Sequence, residues 1–323
     1  MYQPQNVILT GGCGFIGSNV LNYLSGKYPN VTFINIDRVD YCSSVHNVDD
    51  NPNVIFIKED LRHINLLEVM EKYDVDTIMH FAAQTHVDNS FFNAQLFIED
   101  NVIATVNILK NVATYGKIKR FIHVSTDEVY GESTLDEAGN TEYQHLNPTN
   151  PYSASKASAE YFVKSFSKCF NIPFIITRGN NVYGPRQYPE KLFPKFITKL
   201  LNCEKCPIHG KGNNLRNFIY VDDVSRAFET ILLHGKLGEI YNIGGLDEFS
   251  VLEVTKLLIK KMKPNEKISD HIIFIGDRPW NDGRYAINSD KLIDLGWKVE
   301  TSFEDGVNKT INWYENISKD YWK

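Results

Sequence analysis

The stretch "VILTGGCGFIGSNV", residues 7–20, decides the fold. Its first four residues are an apolar, partly β-branched run that reads as a strand, and residues 15–27 carry helical spacing. Gly11, Gly14 and Gly17 lie across the junction. Glycines there permit a tight turn and a close backbone approach, and the free N–H groups at a helix start suit a pyrophosphate. Asp37 follows Gly17 by twenty residues and ends the next apolar run. A carboxylate at that point accepts hydrogen bonds from ribose hydroxyls and repels a 2′-phosphate, so the pattern predicts NAD rather than NADP. Arg38 is a counter-signal, because arginine can bind that phosphate; it ranks below Asp37 because it can equally lie against the adenine.

Working outward, "VTFINI" (31–36), "VIFI" (54–57), "TIMHF" (77–81), "RFIHVS" (120–125) and 173–178 read as further strands. Segments 64–72, 92–115 and 151–170 read as the helices between them. Such alternation predicts a doubly wound, Rossmann-like α/β fold: a parallel sheet with right-handed crossovers and helices on both faces. Past residue 178 the pattern loosens, with helices near 190–201, 222–233, 250–261 and 303–317 and a strand at 218–221. This predicts a cofactor domain over 1–178, to which 217–244 returns, and a smaller, partly interleaved C-terminal substrate lobe from 179–216 and 245–323. Ligands of open α/β sheets bind at the carboxyl edge of the strands.

The composition sets bounds. The chain has 323 residues, 42% hydrophobic and 23% charged, with a net charge of −6 that argues against nucleic acid or an anionic membrane as the main partner. The amino-terminal "MYQPQNVILT" carries no basic segment leading into a long apolar run, so a cytoplasmic protein is expected. Five cysteines do not make a disulfide framework. Cys203 and Cys206 form a CxxC, but no second pair completes a zinc site and the strand–helix context of a redox dithiol is missing. No metal site is predicted.

Tyr152 and Lys156 in "YSASK" are one helical turn apart and share a face. A tyrosine ionises near pH 10, and an ammonium nearby with a cationic nicotinamide ring would stabilise its phenolate. The GxxGxxG spacing and this YxxxK resemble the extended short-chain dehydrogenase/reductase family. A simple hydride-transfer enzyme needs the tyrosine, the lysine and one hydroxyl; here "FIHVSTDEVYG" (121–131) adds Asp127 and Glu128 after Thr126. "STDEVYG", "AAQTHVDNS" (82–90), "PEKLFPKFI" (189–197) and "RYAIN" (284–288) resemble the nucleotide-sugar 4,6-dehydratases of that family. The resemblance implies that Tyr152 removes the 4-hydroxyl proton as hydride passes to NAD⁺. Glu128 then takes the carbon 5 proton, Asp127 protonates the departing 6-hydroxyl, and the hydride returns to carbon 6. Thr126 would bind the 4-hydroxyl, and NAD would stay bound and be regenerated. Two adjacent carboxyls cannot both ionise cheaply, so one should hold its proton. Strand alternation would send them to opposite faces, so both reach the sugar only if the backbone leaves strand geometry at Ser125 or Thr126.

The same resemblance implies Phe15, Ile16, Asp60, Leu61, Ala82, Ala83 and Thr85 as further cofactor contacts. It assigns Thr85, Asn181, Lys191, Arg216, Asn242, Arg278 and Asn281 to the substrate, with the two arginines as diphosphate partners. "DYCSSVHN" (40–47), "MHFAAQTHVDNSF" (79–91), "TRGNNVYGP" (177–185) and "PIHGKGNNLR" (207–216) look like the subgroup acting on UDP-glucose, the dehydratase portion of plant-type UDP-rhamnose synthases. "RPWN" (278–281) stands where dTDP-glucose enzymes more often carry "RPGH". UDP-glucose is therefore favoured over dTDP-glucose, and epimerase and reductase steps are expected on another protein. Asp100 departs from the neutral residue of many relatives near the cofactor. An epimerase or decarboxylase of the same fold is the nearest rival, with Asp127 the discriminating residue; a cofactor-loaded binding protein would lack Tyr152 or Lys156. Apolar residues beyond one face of 92–115 and 151–170, Phe97, Val102, Val106, Leu109, Tyr161, Phe162 and Phe166, suggest a homodimer through those helices.

Overall fold

The computed structural model describes every residue except 135, 278, 279, 281, 319 and 323. Its strands, in chain order, are β1 (Asn6–Thr10), β2 (Thr32–Asp37), β3 (Val54–Lys58), β4 (Thr77–His80), β5 (Arg120–Thr126), β6 (Phe174–Gly179), β7 (Asn181–Tyr183), β8 (Cys206–His209), β9 (Leu215–Tyr220), β10 (Ile240–Ile243), β11 (Glu248–Ser250), β12 (Ile272–Ile275) and β13 (Arg284–Tyr285). Seven of them form one sheet in the order β10-β6-β5-β4-β1-β2-β3, and every pairing in it is parallel. Six of these strands follow the doubly wound order 3-2-1-4-5-6.

The alternation along β1 shows why the sheet is covered twice. Val7 and Leu9 join a core with Val20, Leu21 and Leu24 of the helix Phe15–Lys27 and with Phe228 and Ile231 of the helix Val221–His234. Ile8 points the other way, into a core with Leu66, Met70, Ile108, Leu109 and Val163. A strand buried on both faces has to be apolar throughout, which "VIL" is. Switch the register by one residue and both cores lose their partners.

Two features depart from the sequence reading. Residues 92–115 do not form one uniform helix: Ala94–Phe97 runs into a π-helical turn, Ile98–Ile103, before the helix Ala104–Tyr115. The extra residue per turn rotates Asp100 and Asn101 onto successive cleft-side contacts, described below. The strand β10 was not anticipated. It is four residues long, lies between Gly238 and Gly244, and adds the seventh parallel strand beside β6.

The remaining strands build a second layer. β9 pairs with β11, β13 and β7, while β8 pairs with β12. The segment expected as a strand at 218–221 thus belongs to this second sheet, not the large one. Its core collects Phe193, Ile197, Leu200, Val254, Leu258, Val307 and Ile311 from three helices, around the ring stack of Tyr183 on Phe193. Among the described residues, no helix is long and apolar enough to cross a membrane.

Candidate active site

β1 and the helix after it meet at Gly11, whose φ is +74° and where a Cβ would lie 2.6 Å from the backbone nitrogen of Ala82. A Cβ at Gly17 would run into the carbonyl oxygen of Gly11. Only glycine allows this turn against β4. The turn is anchored on β2: Cys13 N donates to Asp37 Oδ2 at 2.9 Å, and Val39 N donates to Asp37 Oδ1 at 2.7 Å. Burial pushes the Asp37 carboxyl up, and these two N–H groups with Arg38 pull it back.

Arg38 is not available to a phosphate. Its guanidinium donates to both oxygens of Asp100, at 2.8 and 2.5 Å, and to Asp40, with Asp60 at 3.6 Å. Asp100, unusual in the sequence, is the buried counter-charge that holds it, and Gln84 Nε2 donates to the same carboxylate at 3.0 Å. The next residue of the π turn, Asn101, accepts from Gln84 N at 2.7 Å and donates to Ser155 on the helix Pro151–Phe170 at 2.9 Å.

One continuous cleft runs from Gly11, Gly14, Phe15, Ile16, Gly17, Asp37, Asp60 and Leu61, past Ala82, Ala83 and Thr85, to Thr126, Asp127, Glu128, Tyr152 and Lys156. Asn181 and Lys191 line its far wall, and Lys191 Nζ donates to the Thr85 carbonyl at 2.7 Å. Its length and the acid at its β2 end fit a dinucleotide with an adenosine ribose at Asp37 and the reactive ring near Lys156.

The helix Pro151–Phe170 is capped by Asn150, which accepts from Ser153 N at 2.9 Å. Proline at the first helical position behind an asparagine cap fixes this start and sets Tyr152 and Lys156 on one buried face. Burial lowers the Lys156 ammonium to about 8, and Glu160, one turn on, opposes the change. Burial also raises the Tyr152 phenol, as do the Glu128 and Asp127 carboxylates, while its hydrogen bond to Thr126 opposes them. Lys156 is not among the groups that shift the phenol in this structure.

β5 ends at Thr126, and residues Asp127–Tyr130 form a 3₁₀ turn in which Glu128 N donates to Thr126 Oγ1 at 3.3 Å. Leaving strand geometry there puts both carboxyls on the cleft. Asp127 is 3% exposed, accepts from Asn180 Nδ2 at 2.7 Å and from Thr126 Oγ1 at 3.1 Å. Burial, then the neighbouring Glu128, lift its carboxyl to about 7. Glu128 accepts from Asn150 Nδ2 at 3.0 Å. Burial raises it too, but Asn150, Arg216 and Lys191 draw it down, against Asp282.

Two of the substrate assignments need correction or relocation. Asn242 does not reach the cleft: it is fully buried in β10, accepts from Tyr130 Oη at 2.8 Å, and donates to the carbonyls of Asn140 and Asn288 at 2.9 Å each. Its amide is spent on joining the loop after β5 to the segment after β13. Arg216 stacks 4.6 Å from the Tyr285 ring centre and donates to the carbonyls of Leu215, Gly283 and Asp282, near enough for its charge to act on both carboxyls. Arg278 and Asn281 lie outside the described residues. Cys206 is buried at the start of β8 and Cys203 is exposed, both as free thiols. The sequence reading missed Asn150 and Asn180; the first was signalled by an asparagine ahead of a helix-starting proline.

Residues 8–310 match the protein family described as GDP-mannose 4,6 dehydratase. The chain belongs to this family. Its relatives include nucleotide-sugar 4,6-dehydratases, which are hydro-lyases. It is 45% identical over 328 residues to the trifunctional UDP-glucose 4,6-dehydratase/UDP-4-keto-6-deoxy-D-glucose 3,5-epimerase/UDP-4-keto-L-rhamnose-reductase RHM2 of Arabidopsis thaliana, covering 99% of this chain and 48% of that protein. The chain thus spans about half the length of the plant relatives it matches. It is 44% identical to the dTDP-D-glucose 4,6-dehydratase of Homo sapiens, covering 99% of this chain and 92% of that one. The crystal structure of DesIV, a dTDP-glucose 4,6-dehydratase from Streptomyces venezuelae with NAD and TYD bound, superposes with a TM-score of 0.90 at 38% identity, covering 97% of this chain and 98% of that one. The dehydratase family and the dinucleotide cleft were both expected from the motifs, and the Rossmann-like parallel sheet is shared with these structures.

Proposed function

We propose that the chain dehydrates UDP-glucose to UDP-4-keto-6-deoxyglucose, with NAD bound along the cleft from Asp37 to Lys156. The observation that carries this reading is the pair of carboxyls behind β5, set on one cleft with Tyr152, one of them held protonated near neutrality. Bound NAD supplies the oxidant for carbon 4 and the reductant for carbon 6, so no net redox occurs. Tyr152 receives the 4-hydroxyl proton, with Thr126 hydrogen-bonded to it. Glu128 takes the proton from carbon 5, made acidic by the 4-ketone. Asp127 gives its proton to the 6-hydroxyl, which leaves as water. As carbon 6 is reduced, Glu128 returns its proton to carbon 5, and the proton held by Tyr152 replaces, through solvent, the one that Asp127 gave to the departing water, so the product keeps its 4-keto group and the side chains return to their starting states.

The second lobe, from 179–216 and 245–323, is proposed to hold the nucleotide, with Asn181, Lys191 and Arg216 toward the sugar diphosphate. Resemblance of the 40–47, 177–185 and 207–216 segments to the UDP-glucose subgroup supports UDP over dTDP. A dTDP-glucose reading stands beside it, because relatives named for either substrate fall at 43–46% identity. Epimerase and reductase steps toward UDP-rhamnose would fall to a separate protein. Two chains would pair through the helices 94–115 and 151–170. A competition assay with both sugar nucleotides, read by the ultraviolet absorbance of a 4-keto-6-deoxy sugar in alkali, tests the assignment. UDP-glucose should be consumed first; preferential loss of dTDP-glucose would reverse the substrate, and product from neither would remove the dehydratase reading.

A further inference from the structure

Two asparagines follow β6 at the carboxyl edge of the sheet, and the motif reading drew attention only to the second. The first, Asn180, is 6% exposed and lines the cleft. Its backbone N–H donates to Ile243 O at 3.0 Å, which fixes it against the end of β10. Its side-chain Nδ2 donates to Asp127 Oδ2 at 2.7 Å. Its Oδ1 faces the other way, over Gly244, where a Cβ would lie 2.8 Å from it and 2.9 Å from Ser289 Oγ. Only a glycine leaves room there. Asn180 Oδ1 and Ser289 Oγ are each buried without a hydrogen-bond partner, so the amide orientation is set by the bond from Nδ2 to the acid.

We propose that Asn180 is the positioning residue for the acid Asp127: its amide N–H occupies Oδ2, so the transferable proton resides on Oδ1, which then donates to Thr126 Oγ1 across the 3.1 Å contact that runs the other way when the carboxylate is ionised. This rests on the dehydratase reading of the site. A donor bound to one carboxyl oxygen stabilises the ionised form, so Asn180 also keeps the acid able to give up its proton. The groups that face this carboxyl are Glu128 and the Tyr152 phenol, Thr126 on β5, Asn180 after β6 and Arg216 on β9. Among these, Asn180 makes the shortest hydrogen bond.

The test is Asn180→Ala, with Asn180→Ser as a milder variant that keeps a small polar side chain. Infrared titration of the Asp127 carboxyl, identified as the band lost in Asp127→Asn, should give a midpoint raised by about one to two pH units in Asn180→Ala. The shift should be smaller in Asn180→Ser. The rate of water elimination should fall by about tenfold to a hundredfold, with KM little changed and the alkaline limb of the kcat profile moved upward. An unmoved carboxyl midpoint in both variants, or a lower rate with an unmoved limb, overturns the proposal. Should Asn180→Ala not fold, Asn180→Ser alone decides by the same midpoint. The infrared measurement needs no turnover, so failure of the wild-type protein to act on either sugar nucleotide would count against the function and leave the carboxyl measurement standing.

Discussion

Replacing Asp127 by asparagine should weaken the enzyme and strengthen the fold, and the second effect should depend on pH. The Asp127 carboxyl titrates at about 7 in the folded chain against an ordinary 3.8, with burial the main cause and Glu128 the next. A raised acid stabilises the folded state while it keeps its proton. That contribution is complete below about 4 and is lost as pH rises through about 7. The gap of about three units corresponds to about 4 kcal/mol over the whole range, and to about 2–3 kcal/mol between pH 5 and pH 8. The substituted amide does not titrate, so the variant should gain about that much relative to wild type on going from pH 5 to pH 8. Loss of the negative charge also relieves Glu128, which acts in the same direction. Urea unfolding of both proteins at the two pH values, each saturated with NAD, measures the difference directly; titrations elsewhere in the molecule cancel in the comparison. In parallel, elimination should slow by about 10²–10⁴-fold, the usual worth of general acid help, while oxidation at carbon 4 survives and absorbance near 340 nm builds up in the enzyme. A stability difference that is flat with pH would refute the buried-acid argument, and wild-type turnover would make both carboxyls mere turn residues.

Changing Tyr152→Phe removes the base for the first step, so stopped-flow mixing with substrate should show neither the 340 nm rise nor product; product at an undiminished rate would exclude the tyrosine from the chemistry. Asp100→Asn deletes the main counter-charge of Arg38 and should improve NADP⁺ binding relative to NAD⁺ by about tenfold, about 1.4 kcal/mol, in calorimetric titrations of cofactor-stripped protein. An unchanged ratio would mean that Asp37 alone sets the preference. Phe92, Ile98, Ile103, Tyr161, Phe162 and Phe170 are exposed on and beside the helices 94–115 and 151–170, so sedimentation should find a species of twice 37.1 kDa that Ile103→Asp dissociates. A single 37.1 kDa species at micromolar concentration would contradict the dimer.

How far the sequence could be read differs from element to element. The first six strands of the large sheet were legible from their apolar, β-branched runs: "VIL" of β1 packs into a core on each face, and even "VIFI" of the edge strand β3, with Phe56 exposed, keeps the β-branched composition. The glycine turn and Asp37 were legible because backbone proximity leaves glycine no substitute. β10 was not, because its place beside β6 depends on the whole crossover through β9 and the helix Val221–His234. The π turn was hidden as well: nothing local distinguishes "IEDNVI" from an ordinary helix, and its consequence appears only when Asp100 meets Arg38 across the cofactor end. The dimer residues named from periodicity split in two. Phe97, Val102 and Leu109 are buried within the chain, Tyr161 and Phe162 stay exposed, and Val106 and Phe166 lie between, because helical spacing alone cannot say which apolar face meets the sheet. Asn242 failed for a related reason, since a motif fixes a position along the chain and not which way an amide points.

The division of labour between the two carboxyls is the part that only the partners decide. Adjacent in sequence, Asp127 and Glu128 are interchangeable as letters. In the fold, Thr126 ends β5 and the 3₁₀ turn separates them: Arg216 acts on both, but Asp127 goes inward, 3% exposed, to two neutral donors, and Glu128 stays half-buried and meets a neutral amide together with the further charge of Lys191. Neutral donors soften the cost of burying a charge without cancelling it, so Asp127 keeps its proton toward neutrality. Cations favour the charged form directly, so Glu128 is the carboxyl drawn back toward ionisation. Each ionised neighbour also raises the other, and once Glu128 carries the charge the proton belongs on Asp127. In the proposed elimination, which needs a base at carbon 5 and an acid at carbon 6, these surroundings make Asp127 the better acid and Glu128 the better base. The assignment can be inverted on paper by exchanging the partners that differ: take the amide of Asn180 to Glu128 and the charge of Lys191 to Asp127, and the acid becomes the base.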